Sequence, residues 1–260
     1  MEICIYRAYE EMSRAAAQEV ADVLNAKPNA VLGMATGSTP LGVYQHLVKM
    51  HERGEIDFSH VTTFNLDEYV GLPITHAQSY HRFMHENFFS HINIPPQNIH
   101  IPSGTTTNYR AFCEWYEKRI TDCGGIDLQI LGIGSDGHIA FNEPGSSLSS
   151  RTRLKTLAKQ TIDDNARFFD KPDDVPIYAI TMGVGTILEA RQILLLANGV
   201  NKADAVAEAV EGPVTSMITA SALQMHPWTR AFFDESAASK LKMRDYYDWI
   251  QFHKPGAPRV

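Results

Sequence analysis

Seven short apolar runs alternate with stretches whose apolar residues recur every three to four positions, and this alternation constrains the fold more than any other feature of the chain. The runs are ICIY (3–6), AVLGMA (30–35), VTTFNL (61–66), IDLQILGI (126–133), PIYAIT (176–181), QILLLA (192–197) and TRAFF (229–233). Between them lie helical patterns such as YEEMSRAAAQEVADVLNA (9–26), LGVYQHLVKMHERG (41–54), NYRAFCEWYEKRITDCGG (108–125), NKADAVAEAVEG (201–212) and SKLKMRDYYDWIQF (239–252). Continuous apolar runs mark strands covered on both faces, and strands joined through helices pair in parallel. The expected fold is α/β, a single doubly wound, mostly parallel sheet with helices on both faces, Rossmann-like in plan. No repeat, low-complexity tract or long Gly/Ser/Pro linker divides the chain. Residues 1–250 therefore read as one α/β domain and 251–260 as a loose C-terminal tail.

Charge narrows the partners. A formal net charge of −7 over 260 residues, with no basic run, argues against nucleic acid. A small anion remains compatible, because a few N–H donors and one or two cations bind phosphate against an unfavourable overall charge. No window reaches the roughly 18 apolar residues of a membrane span, and MEICIYRAYEEMS carries acids where a signal peptide carries bases, so a cytoplasmic protein is expected. Cys4, Cys113 and Cys123 are odd in number and lack C-x-x-C spacing, which suggests neither a disulfide framework nor a zinc site.

In doubly wound folds ligands sit beyond the carboxyl ends of the strands, which directs attention to the loops that follow the runs. The first is ATGSTP (35–40). With Thr39 as N-cap and Pro40 as the first helical residue, a helix would begin there, and Thr36, Gly37, Ser38 and Thr39 would form either a phosphate-sized anion site or a capped turn. No Gly-Lys-Ser/Thr follows, so it is not a triphosphate loop. The second, NLDEYVGL (65–72), delivers Asp67 and Glu68 together; such acids cap a helix or, alternatively, one of them serves as a base for a carbon-bound proton.

The third loop, LGIGSDGHIAFNEPG (131–145), spaces Gly132, Gly134 and Gly137 as G-x-G-x-x-G. A dinucleotide turn needs an acid about 20 positions on and a helix at once. Here Arg153 and Lys155 stand where the acid belongs, Asp136 occupies the pyrophosphate's path, and Pro144-Gly145 breaks the helix. The glycines instead shape a loop presenting Asp136, His138 and Glu143, in which a carboxylate can orient an imidazole or merely pair with it at the surface. Lys202 opens a predicted helix, where the macrodipole disfavours a cation: it either holds an anion or snorkels to solvent. His81 and His85 lie at i, i+4 without a metalloprotease glutamate and read as a solvated or interface pair. The polar stretch at 156–175 is either an exposed helix or a mobile lid.

Taken together, ATGSTP (35–40), NLDEYVGL (65–72), LGIGSDGHIAFNEPGSSLSSRTR (131–153), NARFF (165–169) and MGVGT (182–186) resemble the glucosamine-6-phosphate deaminase family, in order from about residue 30 to about 235. The resemblance implies an enzyme that converts glucosamine 6-phosphate and water to fructose 6-phosphate and ammonia in amino-sugar catabolism, with no cofactor and no metal. It implies Asp67 as the enolisation base, Asp136, His138 and Glu143 as the ring-opening group, and a phosphate held on Thr36, Gly37, Ser38 and Thr39 and clamped by Arg167 and Lys202. It further implies an effector, N-acetylglucosamine 6-phosphate, at Ser146, Ser147, Arg153 and Lys155 with a tyrosine near Tyr246 or Tyr247, and a homo-oligomer, which is a hexamer in some relatives. The rival readings are a 6-phosphogluconolactonase-like hydrolase of the same fold, which needs no carboxylate base over C2, and a non-catalytic sugar-phosphate sensor.

Overall fold

A computed structural model describes residues 1–169 and 171–254. The strands are β1 (Glu2–Tyr6), β2 (Val31–Met34), β3 (Thr62–Asn65), β4 (Asp67–Tyr69), β5 (Ile99–His100), β6 (Leu128–Gly132), β7 (Arg153–Thr156), β8 (Tyr178–Thr181), β9 (Gln192–Ala197) and β10 (Thr229–Asp234). The helices are α1 (Tyr9–Ala26), α2 (Ser38–Glu52), α3 (Tyr80–Asn87), α4 (Tyr109–Asp122), α5 (Lys159–Asn165), α6 (Val184–Leu188), α7 (Ala203–Glu211) and α8 (Arg244–His253). Helix α1 shows the rule that generates them. Met12, Ala16, Val20 and Leu24 are buried along one face, and Glu10 and Glu11 lie in the first turn, where the helix dipole favours acids.

Seven strands form one sheet in the order β1-β10-β9-β6-β2-β3-β5, with every pair parallel. From β2 the chain steps outward through β3 to β5, then returns to lay β6 against the other side of β2 and steps the opposite way through β9 to β10, which pairs with the N-terminal strand β1. The order therefore reverses between β2 and β6, which opens a crevice beyond their carboxyl ends. Every residue of β2, and all but the first of β9, is buried, so both faces of the sheet are covered. Side chains such as Phe64, Phe232 and Leu195 are essentially inaccessible. Each contributes roughly 1.5–3 kcal/mol through the apolar surface it removes from water.

The sheet differs from expectation in one respect. The run PIYAIT does form β8, but β8 leaves the parallel sheet and pairs antiparallel with β4 and β7 in a separate three-stranded sheet, β4-β8-β7. The physical reason is occupancy: β6 already has β9 and β2 as neighbours, and β9 has β10 and β6, so no central position is free. Leu66 bridges the two sheets, since its N–H donates to Met34 O at 3.0 Å and its carbonyl accepts from Met182 N at 2.8 Å. Over the small sheet sits a second core of Tyr69, Leu72, Phe141, Leu157 and Ala179, joined by Tyr80, Ile162 and Phe169.

The stretch 156–175 contains the end of β7, then α5, a 3-10 turn at Ala166–Phe168 and another at Pro172–Asp174. Helix α8 crosses the boundary expected at residue 250, packs against β1 and ends at His253; the rest of the expected tail, 255–260, lies outside the described residues. Among the described residues no helix is long and apolar enough to cross a membrane.

Candidate active site

A cavity of about 650 Å³ lies where the sheet order reverses. It is walled by the exits of β2, β3, β6 and β9 and by α5 with its following turn. Five stretches of chain, well separated in sequence, thus converge on one space.

The β2 exit supplies the anion end. Gly37 has φ +102°, which an L side chain rarely adopts, and it turns the chain so sharply that α2 begins at Ser38. The expected cap is corrected accordingly: Gly37, not Thr39, is the N-cap, and Pro40 is third in the helix. Thr39 is used elsewhere, its hydroxyl donating to Asn198 Oδ1 at 2.7 Å and tying this loop to the β9 exit. Tyr9 braces the turn by accepting from Gly42 N at 2.7 Å while its hydroxyl meets Thr39 O at 3.0 Å. Thr36, Gly37, Ser38 and Thr39 all line the cavity, with the free N–H groups of the α2 terminus beside them.

Facing them are Arg167, in the turn after α5, and Lys202, the N-cap of α7. Burial holds the Lys202 amine below its ordinary value, with the neighbouring Arg167 cation acting the same way against Asp136 and Asp164. Two cations and a helix N-terminus around one space, one of them partly desolvated, are the electrostatics of an anion site.

Asp67 and Glu68 divide the two readings open to adjacent acids between them. Glu68 is a cap: Oε1 accepts from Tyr69 N and Tyr80 N at 2.9 Å each, and Oε2 accepts from His81 N at 3.0 Å and lies 2.9 Å from His81 Nδ1. His81 is therefore paired with Glu68 rather than with His85. Asp67 points into the cavity. Burial, reinforced by the charge of Glu68, pushes its carboxyl up to about 8. A carboxylate this poorly solvated is a strong base, which proton abstraction from carbon requires.

The β6 exit presents the histidine. His138 Nδ1 lies 2.6 Å from Asp136 Oδ1, and His138 N donates to the same oxygen at 3.2 Å. Although burial alone would raise the Asp136 carboxyl, its hydrogen bond and attraction to His138 outweigh this and hold it below the ordinary value. Gly134 lies directly beneath the imidazole, where a Cβ would stand 2.4 Å from His138 Cε1, so the glycine spacing serves this packing and not a pyrophosphate. Glu143 is placed differently from the other two. It is buried, and both its oxygens accept from Ala158 N, at 2.6 and 2.8 Å, so that it anchors the start of α5.

The four residues expected at an effector site lie away from the cavity lining. Ser146 is buried, its N–H donating to Glu143 O at 3.0 Å, and the hydroxyls of Ser147 and Ser149 are 3.0 Å apart. Arg153 and Lys155 lie on β7; Arg153 donates to Asn142 Oδ1 at 2.7 Å, and Asn142 Nδ2 in turn donates to Ile139 O and Met182 O. Tyr246 and Tyr247 are on α8, and Tyr247 OH bonds Glu211 Oε1 at 3.3 Å. Among the described residues no group of three or more His, Cys, Asp or Glu side chains is arranged to hold a metal ion.

Sequence reasoning missed Asn198, Tyr80 and Phe141 as lining residues. Asn198 was within reach, since it directly follows the β9 run and so sits at a strand's carboxyl end. Tyr80 enters through a fold in the chain that no local pattern marks.

The chain is similar to known proteins over most of its length. Residues 7–230 match the family model of glucosamine-6-phosphate isomerases/6-phosphogluconolactonase. The chain is 52% identical over 245 residues to a glucosamine-6-phosphate deaminase of Thermoanaerobacter pseudethanolicus, covering 94% of this chain and 97% of the relative. It is 53% identical over 251 residues to one of Hahella chejuensis, covering 96% of each. Among solved structures, a monomeric glucosamine-6-phosphate deaminase superimposes with TM-score 0.90 at 44% identity, covering 92% of this chain and 100% of that one. A 6-phosphogluconolactonase from Trypanosoma brucei aligns with TM-score 0.71 at 19% identity, covering 92% of this chain and 98% of that one, a likeness of fold alone.

Proposed function

Since the chain belongs to the glucosamine-6-phosphate isomerase/6-phosphogluconolactonase family, we propose that the cavity between β2 and β6 carries out the deaminase reaction of that family. The protein is an enzyme that converts glucosamine 6-phosphate and water to fructose 6-phosphate and ammonia. One observation carries the choice over a lactonase: a buried carboxylate, Asp67, faces the same cavity as the His138–Asp136 pair. A lactonase activates water and has no use for a base over C2.

The phosphate lies on Thr36, Gly37, Ser38 and Thr39 between Arg167 and Lys202. A dianion there offsets the desolvation of Lys202 and removes its conflict with the α7 dipole. His138 opens the ring by taking the proton of the anomeric hydroxyl and returning one to the ring oxygen, with Asp136 orienting the imidazole and balancing its charge. In the open chain Asp67 takes the proton from C2, giving the enolate of an enolamine, and returns that proton to C1 while the C1 oxygen gains a proton and the amine nitrogen loses one, giving a ketose-level imine. Water adds at C2 and ammonia leaves. A ring-opening role for Glu143 requires its carboxylate to turn away from Ala158. Arg167 and Phe168 lie in the wall formed by 156–175, which supports that segment as a lid placing phosphate binding energy over the reacting carbons.

Residues 1–253 form the catalytic unit on this reading. A response to N-acetylglucosamine 6-phosphate would run from Ser146, Ser147, Arg153 and Lys155 through Asn142 to Ile139, next to His138. As for assembly, the relative described as monomeric supports a monomer over the hexamer.

The test is ammonia release from the purified protein given glucosamine 6-phosphate, with exchange of the C2 proton followed in deuterated water. Release with exchange is expected. Folded protein that opens a 6-phospholactone but releases no ammonia would overturn the reading.

A further inference from the structure

Tyr80 opens α3, 13 residues after Asp67 in the chain, yet it lines the same cavity as Asp67 and Thr36. Glu68 brings it there. The carboxylate next to Asp67 accepts the Tyr80 N–H at 2.9 Å and the His81 N–H at 3.0 Å, fastening the first turn of α3 to the strand that carries the base. The ring is then clamped in place. It stacks on Phe141 with centroids 6.2 Å apart and planes at 11°, and its other neighbour is Tyr69, with centroids 5.0 Å apart. The side chains of Thr36 and Tyr69 lie beside its hydroxyl. Burial, with Tyr69 and Asp67 nearby, pushes the phenol well above its ordinary value, so it remains a neutral O–H donor across the working pH range.

Enolisation needs such a donor. When the C2–H bond breaks, its proton goes to the Asp67 carboxylate and its electron pair forms the C1–C2 double bond, while the carbonyl π pair moves onto the C1 oxygen. That oxygen requires a preorganised hydrogen bond as its charge develops. An ionised Asp67 has no proton to give. The structure assigns this part to Tyr80: we propose that its O–H donates to the C1 oxygen and keeps its proton, and that Glu68 is the positioning residue that aims it. The inference rests on the deaminase reading.

Three variants test it, Tyr80→Phe, Glu68→Gln and the pair together, compared on the alkaline plateau of the pH profile where Asp67 is ionised in each. Phenylalanine keeps the stacking and removes the donor. In Tyr80→Phe we expect kcat to fall about a hundredfold with KM changed by less than about threefold, and C2 exchange to fall in step with ammonia release. Binding of the open-chain alcohol analogue of the substrate, which has no carbonyl oxygen to accept charge, should be unchanged. Glu68→Gln should also lose kcat, and the double variant should fall short of the product of the two losses, because one residue acts through the other. An unchanged kcat in Tyr80→Phe, or a raised KM alone, overturns the proposal, and multiplicative losses in the double variant overturn the role of Glu68. If the wild type itself releases no ammonia, the deaminase reading falls and takes this inference with it; if the wild type turns over and Tyr80→Phe matches it, only this inference falls.

Discussion

Asp67→Asn should make the protein more stable as well as inactive, and more so as pH rises. The carboxyl moves from an ordinary value of 3.8 to about 8 in the folded chain, because burial and the adjacent Glu68 disfavour its charge. A folded-state pKa above the unfolded one means that the native protein binds this proton more tightly. Stability from this group is therefore fully present below about pH 4, is lost progressively between the two values, and reaches its full cost above about pH 8. At about 1.4 kcal/mol per unit, a displacement of about four units amounts to on the order of 5 kcal/mol at the alkaline end. The amide cannot ionise, so Asp67→Asn escapes that cost, less about 1–3 kcal/mol for any hydrogen bond its NH₂ fails to make. Urea unfolding of both proteins at intervals from pH 5 to 9 should show the stability difference widening in favour of Asn by a few kcal/mol, while C2 exchange disappears and the sugar phosphate still binds. A difference that stays flat with pH would refute the argument, because it would mean that the buried carboxylate bears no charging cost. The same titration predicts that wild-type kcat/KM climbs with pH up to about 8, and that this limb is governed by the base.

Lys202→Ala should raise KM by about 10–100-fold, the worth of a charge-assisted bond to phosphate, with a smaller effect on kcat; steady-state kinetics giving an unchanged KM would remove Lys202 from the anion site. Gly134→Ala would place a Cβ 2.4 Å from His138 Cε1, so the imidazole must shift off Asp136. Activity should fall by at least about tenfold with the fold intact by circular dichroism, since a displacement near 1 Å at a catalytic group costs up to about a hundredfold. Thr39→Val cuts the bond to Asn198 that joins the β2 and β9 exits and should raise KM by about fivefold, corresponding to about 1 kcal/mol, measured against inorganic phosphate as competitor.

Much of the scaffold was legible because helix and strand periods are local. The seven runs all form strands, the 9–26 pattern forms α1 to the residue, and the strand-end rule points to Asp67, His138 and the anion loop, all of which line the cavity. Short elements escaped. Strands β4 and β7, three and four residues long and polar, carry no periodic signal, and α3 has only Met84 fully buried. The Thr39 cap was misread because a side-chain rule for helix starts cannot see that Gly37 turns at positive φ and that the Thr39 hydroxyl has a partner 159 residues away.

What the sequence determined by itself was the order of strands and helices and the loops in which reactive side chains reside, since those follow from the spacing of apolar residues along a few turns of chain. Only the tertiary structure decided what each reactive group meets. Two neighbouring acids separate into a carboxylate that faces the cavity and a helix anchor that meets the N–H groups of α3. Glu143, seven residues past Asp136, goes to the backbone of Ala158 and not into the lining of the cavity. Hydrogen-bond partners and desolvation are properties of the packed chain, and residues adjacent in sequence can lie on opposite sides of the same wall.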